Sequence, residues 1–137
     1  MLILTDQQIE QMVSQLEHNG SLFSWRDVSH GEQKIYEANI TLFDSLIRTP
    51  SDPTGEFKIQ RYLAANCIML GFEGVPAFYL NAMFATGNDV EAVIRNCSNR
   101  AINRHKWSRT ELEKRLKSSN NIENQVLNAL EIQSKDK

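Results

Sequence analysis

One apolar run, Gly74-Val75-Pro76-Ala77-Phe78-Tyr79-Leu80, limits the architectures open to this chain. It has the length and apolarity of a strand covered on both faces, as in a parallel sheet. Pro76 sits near its start, where a strand need not donate to the ladder. The run follows Gly71, which ends an amphipathic helix over 56–70 with Ile59, Leu63, Cys67 and Leu70 as its core stripe, flanked by Tyr62, Ala64 and Ile68. A helix feeding a buried strand is half of a parallel α/β unit, and a strand of this kind needs partners on both edges for its backbone groups. The remaining sequence offers only one weak candidate, Ser21-Leu22-Phe23-Ser24-Trp25.

The other segments read mainly as helices and loops. Thr5-Asp6-Gln7-Gln8 has the spacing of a capping box, and Ile9, Met12, Val13 and Leu16 share one helical face, predicting a helix over 6–18 that stops at Asn19-Gly20. Residues 26–38 are polar and read as an irregular loop. A short helix is expected near 41–47, capped at Asn39 or Thr41, followed by the breaker cluster 49–55. Residues 81–107 read as loop with a helical turn over 89–94. Ser108-Arg109-Thr110-Glu111 repeats the capping-box spacing, and Asn120 or Asn121 can cap a last helix carrying Ile122, Val126, Leu127 and Leu130. The polar residues 133–137 read as a frayed tail.

At 137 residues the chain fits one segment, while a parallel α/β barrel takes on the order of 250. The 15 basic and 17 acidic residues give a net charge of −2, so no global imbalance points to nucleic acid or a membrane. The apolar start Met1-Leu2-Ile3-Leu4 is too short for a signal core, and no stretch approaches a membrane span. Cys67 and Cys97 read as reduced thiols, which suggests a cytoplasmic protein. His18, His30 and His105 lack metal-ligand spacing, and no HExxH, CxxC, GxSxG or P-loop occurs, so no metal site, serine nucleophile or nucleotide site is expected. His18, at a helix C-terminus, reads as a dipole-complementing residue.

Two clusters call for weighing. Residues 95–117 hold 8 of the 15 basic residues, with His105 and Trp107 interleaved. Phosphate neutralisation and stacking on nucleic acid is one reading; a solvated helix face plus a loop serving a polyol or anionic ligand is the favoured one, since the arginines form no uniform stripe. Glu32, Glu37, Asp44, Asp89 and Glu91 are the loop-borne carboxylates. A retaining glycosidase sets a pair about 5–5.5 Å apart, and nothing in their spacing marks such a pair.

Two stretches then go beyond pattern. Residues 61–79, Arg-Tyr-Leu-Ala-Ala-Asn-Cys-Ile-Met-Leu-Gly-Phe-Glu-Gly-Val-Pro-Ala-Phe-Tyr, precede Asn88-Asp89 and then Asn99-Arg100-Ala101-Ile102-Asn103-Arg104-His105-Lys106-Trp107. In this order they resemble the C-terminal part of the catalytic barrel of sucrose phosphorylase and its relatives acting on glucosylglycerate or glucosylglycerol, all of glycoside hydrolase family 13. Tyr36-Glu37-Ala38-Asn39 resembles the loop that precedes that segment, and the resemblance spans roughly residues 5–132.

The resemblance implies an α/β fold, a partial (β/α)8 TIM barrel around strands 7 and 8, helix-rich in isolation. Residues 5–55 would be the loop and helices after strand 7, residues 56–80 the helix plus strand 8, and residues 81–132 the strand-8 loop and closing helices, all within one segment, 1–137. It implies a retaining α-glucoside phosphorylase with no organic cofactor, acting on a sugar substrate and inorganic phosphate. The nucleophilic Asp, the acid/base Glu and the His-Asp stabiliser would lie upstream of this sequence, which has no His-Asp dipeptide. No catalytic residue is therefore assigned, and the missing barrel half is an implied partner. An inactive remnant serving as a binding or scaffold module is the alternative.

For substrate binding, Arg100 matches the arginine that holds the glucosyl unit, and Tyr36 and Glu37 match the mobile loop on the acceptor and phosphate side. A loop-bracing salt bridge is the alternative for Arg100, and a packing role the alternative for Tyr36. Asp89, Asn103 and Arg104 would brace the loop. Three departures stand out: Asn96-Cys97 replaces a Thr-Gly, Ala85 a frequent Gly, and Lys34 the Asp of sucrose phosphorylases, the last pointing to a different acceptor.

Overall fold

The computed structural model describes residues 4–75 and 77–135. Helix α1 spans Asp6–His18 as predicted. Its capping box is reciprocal: Thr5 Oγ1 accepts from the Gln8 N–H, and Gln8 Oε1 accepts from the Thr5 N–H at 2.8 Å. Gly20, at φ +90°, then takes the left-handed conformation that turns the chain away.

The strand candidate at 21–25 falls in strand β1, and the segment read as an irregular loop, 26–38, supplies the rest of a β-hairpin. Strands β1 (Leu22–Asp27) and β2 (Gln33–Asn39) pair antiparallel, Leu22 opposite Asn39 and Trp25 opposite Ile35, with a register break between Ser24 and Trp25. A 3-10 turn at 29–31 joins them, with His30 at φ +71°. Hydrophobic alternation does not reveal β2, because its more buried positions are Ile35, Glu37 and Asn39. The two polar ones are satisfied by specific bonds instead. Asn39 Nδ2 donates to Ser24 Oγ at 3.0 Å, and Glu37 accepts from Arg100.

Helix α2 is one turn, Leu42–Ser45, capped by Thr41. The breaker cluster after it is a braced loop. Asp52 accepts the Glu56 and Phe57 N–H groups, each at 3.0 Å, and pairs with Arg61 at 2.7 Å, while Arg61 also donates to the Leu46 and Ile47 carbonyls. Gly55 is required here. At φ +74° its Cβ position would lie 2.4 Å from the Ile47 carbonyl oxygen.

Helix α3 spans Lys58–Gly71, with Tyr62 and Asn66 as its buried residues. Ile59 and Leu63 pack on the core as expected, but Cys67 is exposed. The buried stripe is thus rotated toward Tyr62, whose ring packs edge-on to Phe43 with centroids 5.4 Å apart.

The strand expected over 75–80 is not formed. Val75 is 97% exposed, residues 77–79 belong to no ladder, and a helical turn, α4, begins at Leu80 and runs to Met83. Pro76 lies outside the described residues. The physical reason is the absence of partners: among the described residues the only sheet is the β1–β2 hairpin, and a strand with two empty edges has nothing to satisfy its N–H and C=O groups.

Helix α5 (Val90–Asn96) is capped by Asp89, and a 3-10 turn covers 99–103. Helix α6 (Arg109–Leu116) is capped by Ser108, and α7 spans Ile122–Lys135. Phe43, Tyr62, Ala85, Val126 and Leu130 form the core, gathered from α2, α3, α7 and the turn after α4. The fold is a helix-rich α/β arrangement in which a small core supports the hairpin and the 89–105 loop. Side-chain amides join the distant parts: Asn19 Nδ2 donates to the Ser45 and Arg48 carbonyls, Asn88 Nδ2 to Gly20, and Asn99 Nδ2 to Phe23. No helix of the described residues is long and apolar enough to cross a membrane.

Candidate substrate-binding site

Strand β2 and the 3-10 turn at 99–103 bring together three of the expected binding residues. Arg100 Nε donates to Glu37 Oε2 at 3.0 Å, and Tyr36 is the neighbouring residue on β2. The pair is open: the Arg100 side chain is 53% exposed and that of Glu37 33%. The Glu37 carboxylate, with a smaller contribution from Tyr36, raises Arg100 above the ordinary guanidinium value. Asn99 pins the same turn to β1 through the Phe23 carbonyl, at 3.2 Å. Beyond the Nε bond to Glu37, the guanidinium has further donors in a fixed fork, which suits hydroxyl or phosphate oxygens.

Tyr36 and Glu37 also line a groove of about 660 Å³ between the hairpin and α1. Trp25 and Phe23 line it from β1, and Ile9, Met12 and Leu16 from α1. Trp25 is more than half exposed, as is Tyr36, so the groove presents two aromatic rings beside a carboxylate. Trp25 is not among the residues expected from the sequence. Its signal was an aromatic in a short strand next to the Tyr36 segment.

Asp89 ties several elements together. Its backbone N–H donates to Ile102 O at 2.8 Å, its Oδ1 accepts from the Ala92 N–H at 2.8 Å, and its Oδ2 lies 2.8 Å from His105 Nδ1. The hydrogen bond from His105 is the main cause that holds the Asp89 carboxyl below the usual carboxylate range. Asn103 and Arg104 line a second cavity, also about 660 Å³, bordered by α2, α3 and α4. Neither side chain makes a hydrogen bond or ion pair among the described residues, and bracing in this loop comes from Asp89, Asn99 and His105. Sequence reading missed His105 in this role, since it lacked metal spacing and stood within a basic segment.

The basic segment does not present a continuous cationic surface. Four of its five arginines face carboxylates: Arg95 with Glu91, Arg100 with Glu37, Arg109 with Glu113 and Arg115 with Glu123. Among the described residues no group of three or more His, Cys, Asp or Glu could hold a metal ion.

No family model matches the chain. It is similar to curated proteins, however. It is 32% identical over 128 residues to a glucosylglycerate phosphorylase of Escherichia coli, covering 93% of this chain and 22% of that protein. It is 36% identical over 114 residues to one from Allomeiothermus silvanus, covering 83% and 20%. A sucrose phosphorylase of Bifidobacterium adolescentis is 25% identical over 117 residues, covering 84% and 21%. In structure the chain matches a sucrose 6F-phosphate phosphorylase from Thermoanaerobacter thermosaccharolyticum with a TM-score of 0.72 at 23% identity, covering 93% of this chain and 24% of that one. The two chains therefore share this arrangement of helices and hairpin over the matched stretch. The chain spans about a fifth of the length of the curated relatives it matches, and over that stretch its homologues are glucosylglycerate and sucrose phosphorylases.

Proposed function

We propose that this chain supplies part of the sugar-binding pocket of a retaining α-glucoside phosphorylase of the glucosylglycerate type. The observation that carries the reading is the convergence of Arg100, Glu37 and Tyr36 from segments more than sixty residues apart. These are the positions that the family resemblance assigns to sugar and acceptor contact. Arg100 would hold the glucosyl unit through its further donors, with Glu37 fixing the guanidinium plane. Tyr36, on the open side of the groove, would meet the acceptor or the phosphate. Lys34 in place of an Asp, together with the glucosylglycerate phosphorylases among the relatives, supports an acceptor other than the fructosyl unit of sucrose.

In the reaction of such an enzyme, a carboxylate attacks the anomeric carbon and the acceptor leaves with a proton from the general acid. Phosphate oxygen then attacks the same carbon, releasing the carboxylate and α-glucose 1-phosphate. The resemblance assigns both reacting carboxylates to strands outside these residues. The chain would contribute binding and orientation, residues 56–80 and the following loop occupying the place of the last barrel unit, in a cytoplasmic enzyme. The unpaired residues Val75 and 77–79 support this placement, because a neighbouring strand on each side would satisfy their backbone.

The test is phosphorolysis, read as glucose 1-phosphate released from glucosylglycerate and from sucrose. The chain is assayed alone and after co-expression with the complementary barrel segments of a relative. Activity only with the added segments, lost in Arg100→Ala, supports the reading. Silence in both arms favours the catalytically inactive binding module instead.

A further inference from the structure

We propose that His105 is a positioning residue for Arg100: by donating its Nδ1–H to Asp89 it closes the neck of the 89–105 loop, and the closed neck holds Arg100 against Glu37. The significance of this for sugar binding rests on the proposed function; the clamp itself is read from the loop alone.

The Arg100–Glu37 pair cannot hold the loop in place unaided. It is solvent-exposed, and open ion pairs contribute little because water and salt screen them and two long side chains must be ordered. Asn99 pins one side of the turn to β1, and the closure of the loop's neck must come from elsewhere. Asp89 is placed to supply it, since one residue joins both ends of the loop: its N–H binds Ile102 O, its Oδ1 caps α5, and its Oδ2 takes the His105 ring.

His105 is held in turn from two sides. Asn81 Nδ2 donates to its carbonyl at 2.8 Å, and the Trp107 ring stands edge-on with centroids 4.6 Å apart. Trp107 is anchored through Nε1–H to Thr86 Oγ1 at 3.0 Å. The informative atom is His105 Nε2, which is buried and has no hydrogen-bond partner. A leucine or phenylalanine would fill the same space without burying an unpaired nitrogen. What the imidazole supplies, and they cannot, is the Nδ1–H facing Asp89.

The experiment is hydrogen exchange on the full chain by 15N NMR at pH 6, with no sugar present. Two reporters are followed, the Asp89 amide and the Arg100 Nε–H, the latter assigned with Arg100→Lys. His105→Ala is expected to speed exchange at both about tenfold while amides of α3 around Tyr62 and Asn66 stay as they were. His105→Asn, whose Nδ2 can donate where Nδ1 did, is expected to restore both to about threefold of the unmodified rate. The proposal is overturned if His105→Ala leaves both reporters unchanged, if α3 loosens equally, or if His105→Asn exchanges as fast as His105→Ala. These readouts require no substrate. An intact clamp beside phosphorolysis that ignores Arg100→Ala would therefore sink the functional reading and leave the clamp standing.

Discussion

Tyr62 offers the sharpest test of how the core is held. Its side chain is fully buried, its ring edge meets Phe43, and its hydroxyl donates to the Ala82 carbonyl, joining α3 to both α2 and the α4 turn. Burial also raises the phenol above its ordinary pKa, so it stays neutral and able to donate. Tyr62→Phe keeps the ring and its edge contact but leaves a carbonyl without its donor, at a cost of about 1–2 kcal/mol. Tyr62→Ala also loses the ring and opens a cavity between Phe43 and Val126, for a total of about 3–5 kcal/mol. With a urea slope of about 2 kcal/mol/M, the first variant moves the unfolding midpoint down by about 0.5–1 M and the second by about 1.5–2.5 M. Equilibrium urea unfolding at micromolar concentration, followed by far-UV circular dichroism with the slope checked for constancy, reads both. Were Tyr62→Phe to unfold at the unmodified midpoint, the Ala82 carbonyl would have found water and the hydroxyl would contribute nothing. Were the two variants alike, the ring would not be packed as described.

Cys97 sits at φ +47° and ψ +41° at the end of α5, a conformation that disfavours any Cβ, so Cys97→Gly is expected to raise stability by about 0.5–1 kcal/mol in the same assay. Asp52 is held below the usual carboxylate range, chiefly by the Phe57 N–H and Arg61. Its contribution is full above the unfolded value of 3.8 and is lost as pH falls further, and an acid titration of Asp52→Asn should lack that part of the decline. Asp44 behaves oppositely, because burial raises it and the unfolded chain ionises first. Stability therefore falls as pH rises past 3.8, and Asp44→Asn, which keeps an acceptor for the Asn88 N–H, should gain stability at pH 7 relative to pH 3. Ile68, Phe72 and Val75 expose an apolar belt along the end of α3 and the segment after it, so Phe72→Ser with Val75→Ser should reduce self-association in sedimentation velocity without lowering the urea midpoint.

How much the sequence revealed depended on whether a signal was local. Helix α1 was legible to the residue because Thr5 and Gln8 form its cap within four positions, and α7 because Val126 and Leu130 share one face of it. Strand β2 was not. Its inward residues Glu37 and Asn39 are polar, and their partners Arg100 and Ser24 stand 63 and 15 residues away. The run at 75–80 failed for the converse reason: its composition is that of a buried strand, and the partners that would make it one are absent from the described residues. For the site, the likeness to a family brought forward Arg100, Tyr36 and Glu37, and it also marked positions 85 and 97 as glycine in relatives. Both have positive φ here, at +46° and +47°. His105 stayed hidden because its role depends on Asp89, sixteen residues earlier, and no spacing rule joins them.

The Asn19-Gly20 junction carries a chemical consequence of its own. An asparagine followed by glycine is the pair most open to spontaneous deamidation, since the glycine nitrogen can reach back to attack the side-chain amide. Here that amide is buried and donates to the Ser45 and Arg48 carbonyls, while the Gly20 N–H is tied to Glu17 O at 2.9 Å. Folding thus withholds both reactants. An aspartate formed there would set a carboxylate against two carbonyl oxygens and push α1 off its seat. The rate at which position 19 ages is then a clock for how often α1 lifts away.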